Sequence, residues 1–372
     1  MCSSTSVNDR SISVFNPQTK LENQMDMEQE EMQFLGLFGI YKEAYKLMFR
    51  WGKIFTQITL TLILPLSLIF LAYEEVSTIL FWRIRYNEFR LHRTTAGTPA
   101  YHRLADLVSS EWVTYILLKA IYLVFLLAFS LLSTAAVVYT IASVYAAREV
   151  TFRRVMSVVP RVWKRLMVTF LCIFLALVVY NTAFVLVFYV WHLTMAELED
   201  HDTAATVVLL VLIGVYAAGF VYMTIIWQLA SVVSVLEDSC GFRAMAKSRN
   251  LIRGKMVVTA VIFFKLNLSL AIINFVFRVS VVYGYWRREM QVGLGVVCLL
   301  LLFKLFLLGL VVQTVIYFVC KSYHHESIDK SALSDHLEVL YLGEHYVPLK
   351  PRDLQDVQMG EYRPESDRSV LV

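Results

Sequence analysis

Six apolar runs, each long enough to cross a bilayer, leave this chain little choice of architecture. They cover residues 54–73, 112–145, 166–191, 204–236, 256–285 and 292–320. A hydrocarbon core of about 30 Å needs about 20 apolar residues in a helix. Several runs are longer than that, so tilt or extension beyond the bilayer is expected. None alternates with period two, which argues against β-barrel strands. Backbone groups in lipid must bond within their own segment, and that leaves helices. With 58% hydrophobic and 17% charged residues over 372 positions, an ordinary soluble domain is excluded. The expected fold class is an all-α membrane protein with six transmembrane helices.

A short basic stretch precedes the first, third and fifth runs, at 40–56, 152–169 and 242–259. The last two align without a gap, FRRVMSVVPRVWKRLMVT over FRAMAKSRNLIRGKMVVT, and the first is anchored by RWGK (50–53) against IRGK (252–255). Helical spacing puts Ile40, Ala44, Leu47, Trp51 and Ile54 on one face of the first copy. It does the same for Phe152, Val155, Met156, Val159, Val162, Trp163 and Leu166 in the second, and for Phe242, Met245, Ala246, Ile252 and Met256 in the third. The chain therefore reads as three pseudo-repeats, each a basic amphipathic interfacial helix followed by two crossings. The apolar faces are expected in acyl chains and the cations at headgroups. The boundaries are 34–148 (crossings 54–73 and 112–145), 149–236 (166–191 and 204–236) and 237–320 (256–285 and 292–320). Tails at 1–33 and 321–372 are polar and expected to be mostly disordered, apart from one short helix at 329–342. Thr151 and Asp238 or Ser239 are expected N-caps of the second and third copies, and Pro65 is expected to kink the first crossing.

The charge distribution predicts orientation. Arg148, Arg153, Arg154, Arg161, Lys164 and Arg165 lie between the second and third crossings. Arg243, Lys247, Arg249, Arg253 and Lys255 lie between the fourth and fifth, whereas LTMAELEDHDT, between the third and fourth, has no Lys or Arg. Basic connectors are retained in the cytosol, which puts both termini there. The connector 74–111 dissents, because Arg83, Arg85, Arg90, Arg93 and Arg103 would be outside. The first 33 residues contain no apolar core, so entry into an endomembrane of the secretory pathway, from endoplasmic reticulum to plasma membrane, is expected without a cleaved signal.

Two roles fit the basic helices. They are either a cytosolic collar recognising anionic lipid headgroups or connectors that merely obey the charge rule. As candidate contacts the first role uses Arg153, Arg154, Arg161, Lys164, Arg165, Arg243, Lys247, Arg253 and Lys255. Lys304 is a further candidate for an anion or lipid phosphate, since it lies near the middle of the sixth run with no Asp or Glu in the core of any crossing. Lys119 and Arg278 lie close enough to run ends for their side chains to reach water. The missing carboxylates count against proton-coupled transport. HHESID (324–329) matches an acyltransferase-like H-x4-D spacing but has no folded domain after it, and His201 in LEDHDT reads as part of a solvated acidic loop. No catalytic residue, cofactor or metal site is expected, and no segment supports nucleic-acid binding. The five cysteines show no C-x-x-C. Cys240 and Cys320, near run ends, read as free thiols with acylation as the alternative.

From residues 27–50 through 235–255 the chain resembles a plant family of multi-pass membrane proteins without an assigned activity. The most specific element is L-E-D-x-x-G-F-x-A-M-x-x-S-x-x-L-I-x-G-K at 236–255. The chain is more distantly similar to bacterial six-helix membrane families with an acidic turn before a basic helix. The resemblance implies an integral membrane location and brings no catalytic residues. The expected function is non-enzymatic organisation of membrane lipids or partner proteins. The competing class is a small-solute or anion transporter with a polar site around Lys304.

Overall fold

A computed structural model describes residues 34–324, apart from 96, 147, 149, 197–201, 285 and 286. The expected tail 1–33, the expected tail 321–372 beyond His324, the expected helix at 329–342 and His201 lie outside the described residues. The first three residues of the expected C-terminal tail belong to the last helix, which runs to Tyr323. In chain order the helices are α1 (Leu37–Arg50), α2 (Gly52–Ile58), α3 (Leu64–Arg93), α4 (Pro99–Tyr145), α5 (Phe152–Ala196), α6 (Asp202–Leu236), α7 (Phe242–Leu251), α8 (Met256–Phe277) and α9 (Arg288–Tyr323). One π turn, Thr59–Ile63, joins α2 to α3, and another, Arg278–Val282, extends α8. Among the described residues there is no strand. Six segments are long and apolar enough to cross a membrane: Gly52–Arg93, Pro99–Tyr145, Phe152–Thr194, Thr206–Leu236, Met256–Val282 and Arg288–Tyr323. Large apolar side chains such as Val185, Leu186, Val211, Val215, Phe264 and Leu301 stand exposed along them. Such surfaces would be untenable in water and are ordinary in hydrocarbon. This is an integral membrane protein.

Its core is concentrated at one end. Ile58 and Ile63, Ala135–Ala142 of α4, Val155–Leu166 of α5, Ile225–Leu236 of α6, Ile262 of α8 and Val311–Cys320 of α9 contribute buried side chains to a single cluster. These are the ends adjoining the basic stretches, called the basic end below. Lipid tails are as apolar as leucine, so helices gain little by hiding large apolar side chains from them. They associate where small residues allow close approach. Ser133, Thr134, Ala135 and Ala136 on α4 and Ala230 and Ser234 on α6 serve this purpose, all buried. Their hydroxyls bond back into their own helices, as in Thr134 Oγ1 to Ser130 O (2.9 Å) and Ser234 Oγ to Ala230 O (2.8 Å).

The connector 74–111 is not a loop. α3 continues to Arg93 and α4 starts at Pro99, so an antiparallel helical hairpin replaces it. At 1.5 Å per residue α4 is about 70 Å long, more than twice the ~30 Å hydrocarbon thickness. Ile84, Asn87, Val108 and Glu111 are buried between the two helices. Asn87 Nδ2 donates to Glu111 Oε2 (2.8 Å), and Arg83 Nε pairs with Glu111 Oε1 at the same distance. Trp112 Nε1 donates to Glu88 (3.0 Å), and the rings of Tyr73 and Tyr122 stack 3.7 Å apart. The turn is closed by Thr98, whose hydroxyl caps α4 by accepting from Tyr101 N (3.2 Å), and by Gly97 at φ 86°. Mean apolarity identified only the greasy half of each helix. The polar half is held by side-chain pairs that an apolar window does not register. Arg278 uses the same device rather than reaching for water alone, since its guanidinium donates to Glu74 at the far end of the crossings.

Pro65, the expected kink of the first crossing, stands in the first turn of α3 directly after a π turn. Its ring excludes a bond to the carbonyl four residues back, and the π turn immediately before it widens the ladder, so α3 begins with Pro65 in its first turn.

The three basic copies take different forms. α1 and α7 are separate helices, broken from the crossings that follow at Trp51 and around Gly254–Lys255, the places where RWGK and IRGK align. The second copy is continuous with its crossing in α5, with Pro160 inside the helix and exposed. The expectation that their apolar faces lie in acyl chains is corrected. Ile40, Ala44 and Leu47 of the first copy and Val155, Val159, Val162 and Leu166 of the second are buried against the protein. In the third, Phe242 and Ala246 of the expected face are exposed, and the core is met by Ala244, Ser248, Leu251 and Ile252. A periodic stripe reports that a face is covered, and says nothing of what covers it.

Candidate functional site

The acidic turn between α6 and α7 is where the basic end is tied together. Glu237 continues the last turn of α6, its N–H bonding Val233 O (2.8 Å). Its carboxylate, largely buried, faces three donors from two other helices. Lys247 Nζ of α7 is 2.6 Å from Oε2, Tyr317 Oη of α9 donates to Oε1 (2.7 Å), and Lys321 Nζ of α9 is 3.5 Å from Oε1. Burial pushes this carboxyl up. The hydrogen bonds from Lys247 and Tyr317 and the charges of Lys321 and Lys247 together outweigh burial and hold it below its ordinary value of 4.5. The neighbouring Asp238 takes the Arg165 guanidinium of α5. Four helices thus meet on two adjacent acids.

The chain then reverses at Gly241, the residue just before α7. Its φ of 62° and ψ of −133° suit glycine, and a Cβ there would lie 3.1 Å from Cys172 Sγ. Gly241 N donates to Thr169 Oγ1 (2.9 Å), which also bonds Ser234 Oγ (2.7 Å). The expected caps of α7, Asp238 and Ser239, are therefore corrected. Asp238 serves an ion pair, and the orphan N–H groups open after Gly241 with no side-chain cap. Ser248 Oγ reaches Ile226 O (3.3 Å), and His324 Nε2 donates to Leu251 O (2.9 Å), closing α7 against α6 and α9.

The candidate cations divide accordingly. Lys247 and Arg165 are held by carboxylates, and Lys255 lies over the Tyr323 ring at 5.4 Å from its centroid. Arg154 is half-buried and Arg161 exposed, and both have contacts of their own. Arg153, Lys164, Arg243 and Arg253 are exposed. Lys304 is apart from all of these, exposed midway along α9. It is 16 residues before Cys320, about 24 Å by helical rise and so within the hydrocarbon depth. Among the described cysteines Cys172, Cys240, Cys298 and Cys320 are free. Cys320 is fully buried and closed to acylation, while Cys240 is exposed. Among the described residues no group of His, Cys, Asp and Glu could hold a metal.

Sequence reasoning assigns no role to Glu237, Tyr317 or Lys321 and gives Asp238 only a capping one. The available signal was a Glu-Asp pair at the foot of an apolar run, directly before a basic helix. Its partners on α9 lie 80 and more residues away and share no local pattern with it.

A family model described as a domain of unknown function, DUF8558, matches residues 25–362. The chain belongs to this family. No curated protein and no solved structure matches it. In this DUF8558 protein the acid-to-glycine turn carries a structural role on its own geometry, and Arg153, Lys164, Arg243 and Arg253 stand exposed at the same end.

Proposed function

We propose that the protein is a non-enzymatic membrane protein whose basic end faces the cytosol and there organises anionic lipids or partner proteins. The observation that carries this reading is the division of the cations. Glu237 and Asp238 hold Lys247 and Arg165 in ion pairs between helices, while Arg153, Lys164, Arg243 and Arg253 remain exposed at the same end. Each cation at an anionic leaflet contributes about 1 kcal/mol, so four together are substantial. Retention of Lys- and Arg-rich connectors supports a cytosolic position for this end and for both termini, in a membrane of the secretory pathway. Close packing at the basic end favours a fixed platform over a moving gate. In native mass spectrometry of the purified protein, changing Arg153, Lys164, Arg243 and Arg253 to glutamine should remove most co-purified anionic lipid. Equal retention by the variant would overturn the lipid reading.

A second reading, an anion or small-solute path, is supported by Lys304, which is exposed at hydrocarbon depth in the loosely covered half of α9. A charge there calls for an anion, a lipid phosphate or a route to water. Under this reading Lys304→Met abolishes anion flux in proteoliposomes at unchanged expression. Absence of flux in the unmodified protein removes it.

A further inference from the structure

The first helix has a second apolar face that the core does not use. Ile40, Ala44 and Leu47 seat α1 on the bundle. On its other side Phe38 is 85% exposed, Phe49 83% and Tyr45 45%, and Phe34, just before the helix, is 81% exposed. These phenylalanines are among the most open large side chains described. Lys42, Lys46 and Arg50 are exposed as well.

The angular order matters more than the exposure. At about 100° per residue, with the Ile40–Ala44–Leu47 direction as zero, Tyr45, Phe38 and Phe49 fall at about 140–180°. On the same projection Lys42, Lys46 and Arg50 follow at about 200–280°. α1 therefore has three sectors: one covered by protein, one aromatic and one cationic. A two-sector helix would suit a water-facing strut. Three sectors suit a helix in the corner where the bundle, the acyl-chain boundary and the aqueous phase meet. After α1 the chain breaks only at Trp51 before α2 and enters the first crossing, so the helix is within reach of the bilayer surface. Aromatic side chains favour that boundary, and cations beside them favour anionic headgroups.

We propose that the Phe38–Tyr45–Phe49 face of α1 inserts into the headgroup–acyl boundary of an anionic leaflet, with Lys42, Lys46 and Arg50 on its phosphates. This rests on the reading that the basic end meets such a leaflet, and adds the surface that enters it. The occupant is lipid because the cations lie along one edge of the aromatic sector, the order that a bilayer surface presents as depth. A protein groove imposes no such order.

The test places 4-trifluoromethylphenylalanine at position 38 or 49 of the full chain. The protein is reconstituted in nanodiscs of phosphatidylcholine with phosphatidylserine, with position 125 on the lipid-exposed side of a crossing as reference. A doxyl-labelled lipid should broaden the fluorine signals at 38 and 49 several-fold more than a water-soluble gadolinium chelate does, as at 125. Stronger broadening by the chelate would overturn the proposal in favour of an aqueous surface. Broadening by neither would overturn it in favour of a second copy or a protein partner. Omitting phosphatidylserine should weaken the lipid effect in the unmodified protein and make no difference in the Lys42→Gln, Lys46→Gln, Arg50→Gln variant. Phosphatidylserine dependence persisting in that variant would overturn the cationic half. Retention of anionic lipid by the Arg153, Lys164, Arg243 and Arg253 variant would defeat the platform reading and leave these signals unchanged, so the two failures are separable.

Discussion

Replacing Glu237 with alanine is expected to lower stability by about 3 kcal/mol, the low end for breaking a buried ion pair. The low end applies because Lys247 is 40% exposed and keeps some of its hydration. Lys321 is less exposed, and it and the Tyr317 hydroxyl would both face the vacated space. The measurement is thermal unfolding of detergent-solubilised protein. Glu237→Gln should fall between wild type and Glu237→Ala, because it retains an acceptor for Tyr317 and loses the charge. The same carboxylate sets a pH dependence. Its pKa in the fold lies below 4.5. The unfolded chain therefore binds the proton first, and the stabilisation is complete above 4.5 and lost as pH falls through the folded value. The melting temperature of wild type should drop in that acid range, and Glu237→Gln should flatten this part of the profile. An unchanged melting temperature in Glu237→Ala would show that the acidic turn does not tie α6, α7 and α9 together.

Gly241→Ala is expected to cost about 2 kcal/mol, from backbone strain of order 1–3 kcal/mol at a conformation kept largely for glycine. The new methyl also needs room, because its carbon would stand 3.1 Å from Cys172 Sγ and 3.7 Å from a Val168 methyl. Any adjustment there pulls on Gly241 N and its bond to Thr169, and through Thr169 on Ser234. Gly214→Ala is the control. It lies inside α6 with nothing within 4 Å of the added carbon, so it should be neutral or stabilising by about 0.5–1 kcal/mol. Equal melting temperatures for the two variants would refute a special role for the turn.

The hairpin and α1 show where reading along the chain reaches its limit. Glu111 and Arg83 look like solvated loop charges in one dimension, yet they pair between two helices that an apolar window cuts short. The stripe of Ile40, Ala44 and Leu47 was legible as a covered face, and its cover turned out to be the bundle. The aromatic sector opposite it was present in the sequence too. A helix with two apolar faces does not show along its sequence which of them lipid covers. Among the site residues, the exposed Arg153, Lys164, Arg243 and Arg253 were legible as basic connectors. Nothing local distinguished them from Lys247 and Arg165, which the acids hold.

The sequence by itself determined the solvent and the number of crossings. Each of the six runs contains a stretch apolar and long enough to cross, and a helix in hydrocarbon satisfies its own backbone without reference to any other segment. It also marked the basic end, because charge is a property of single residues. Only the tertiary structure decided which cations are neutralised, which apolar faces are covered by protein, and that α3 and α4 run on as a hairpin. Those outcomes depend on pairs such as Glu237 with Lys321 or Arg83 with Glu111. The energy of a pair depends on the distance between residues far apart in the chain, and no window along one strand of sequence contains that distance.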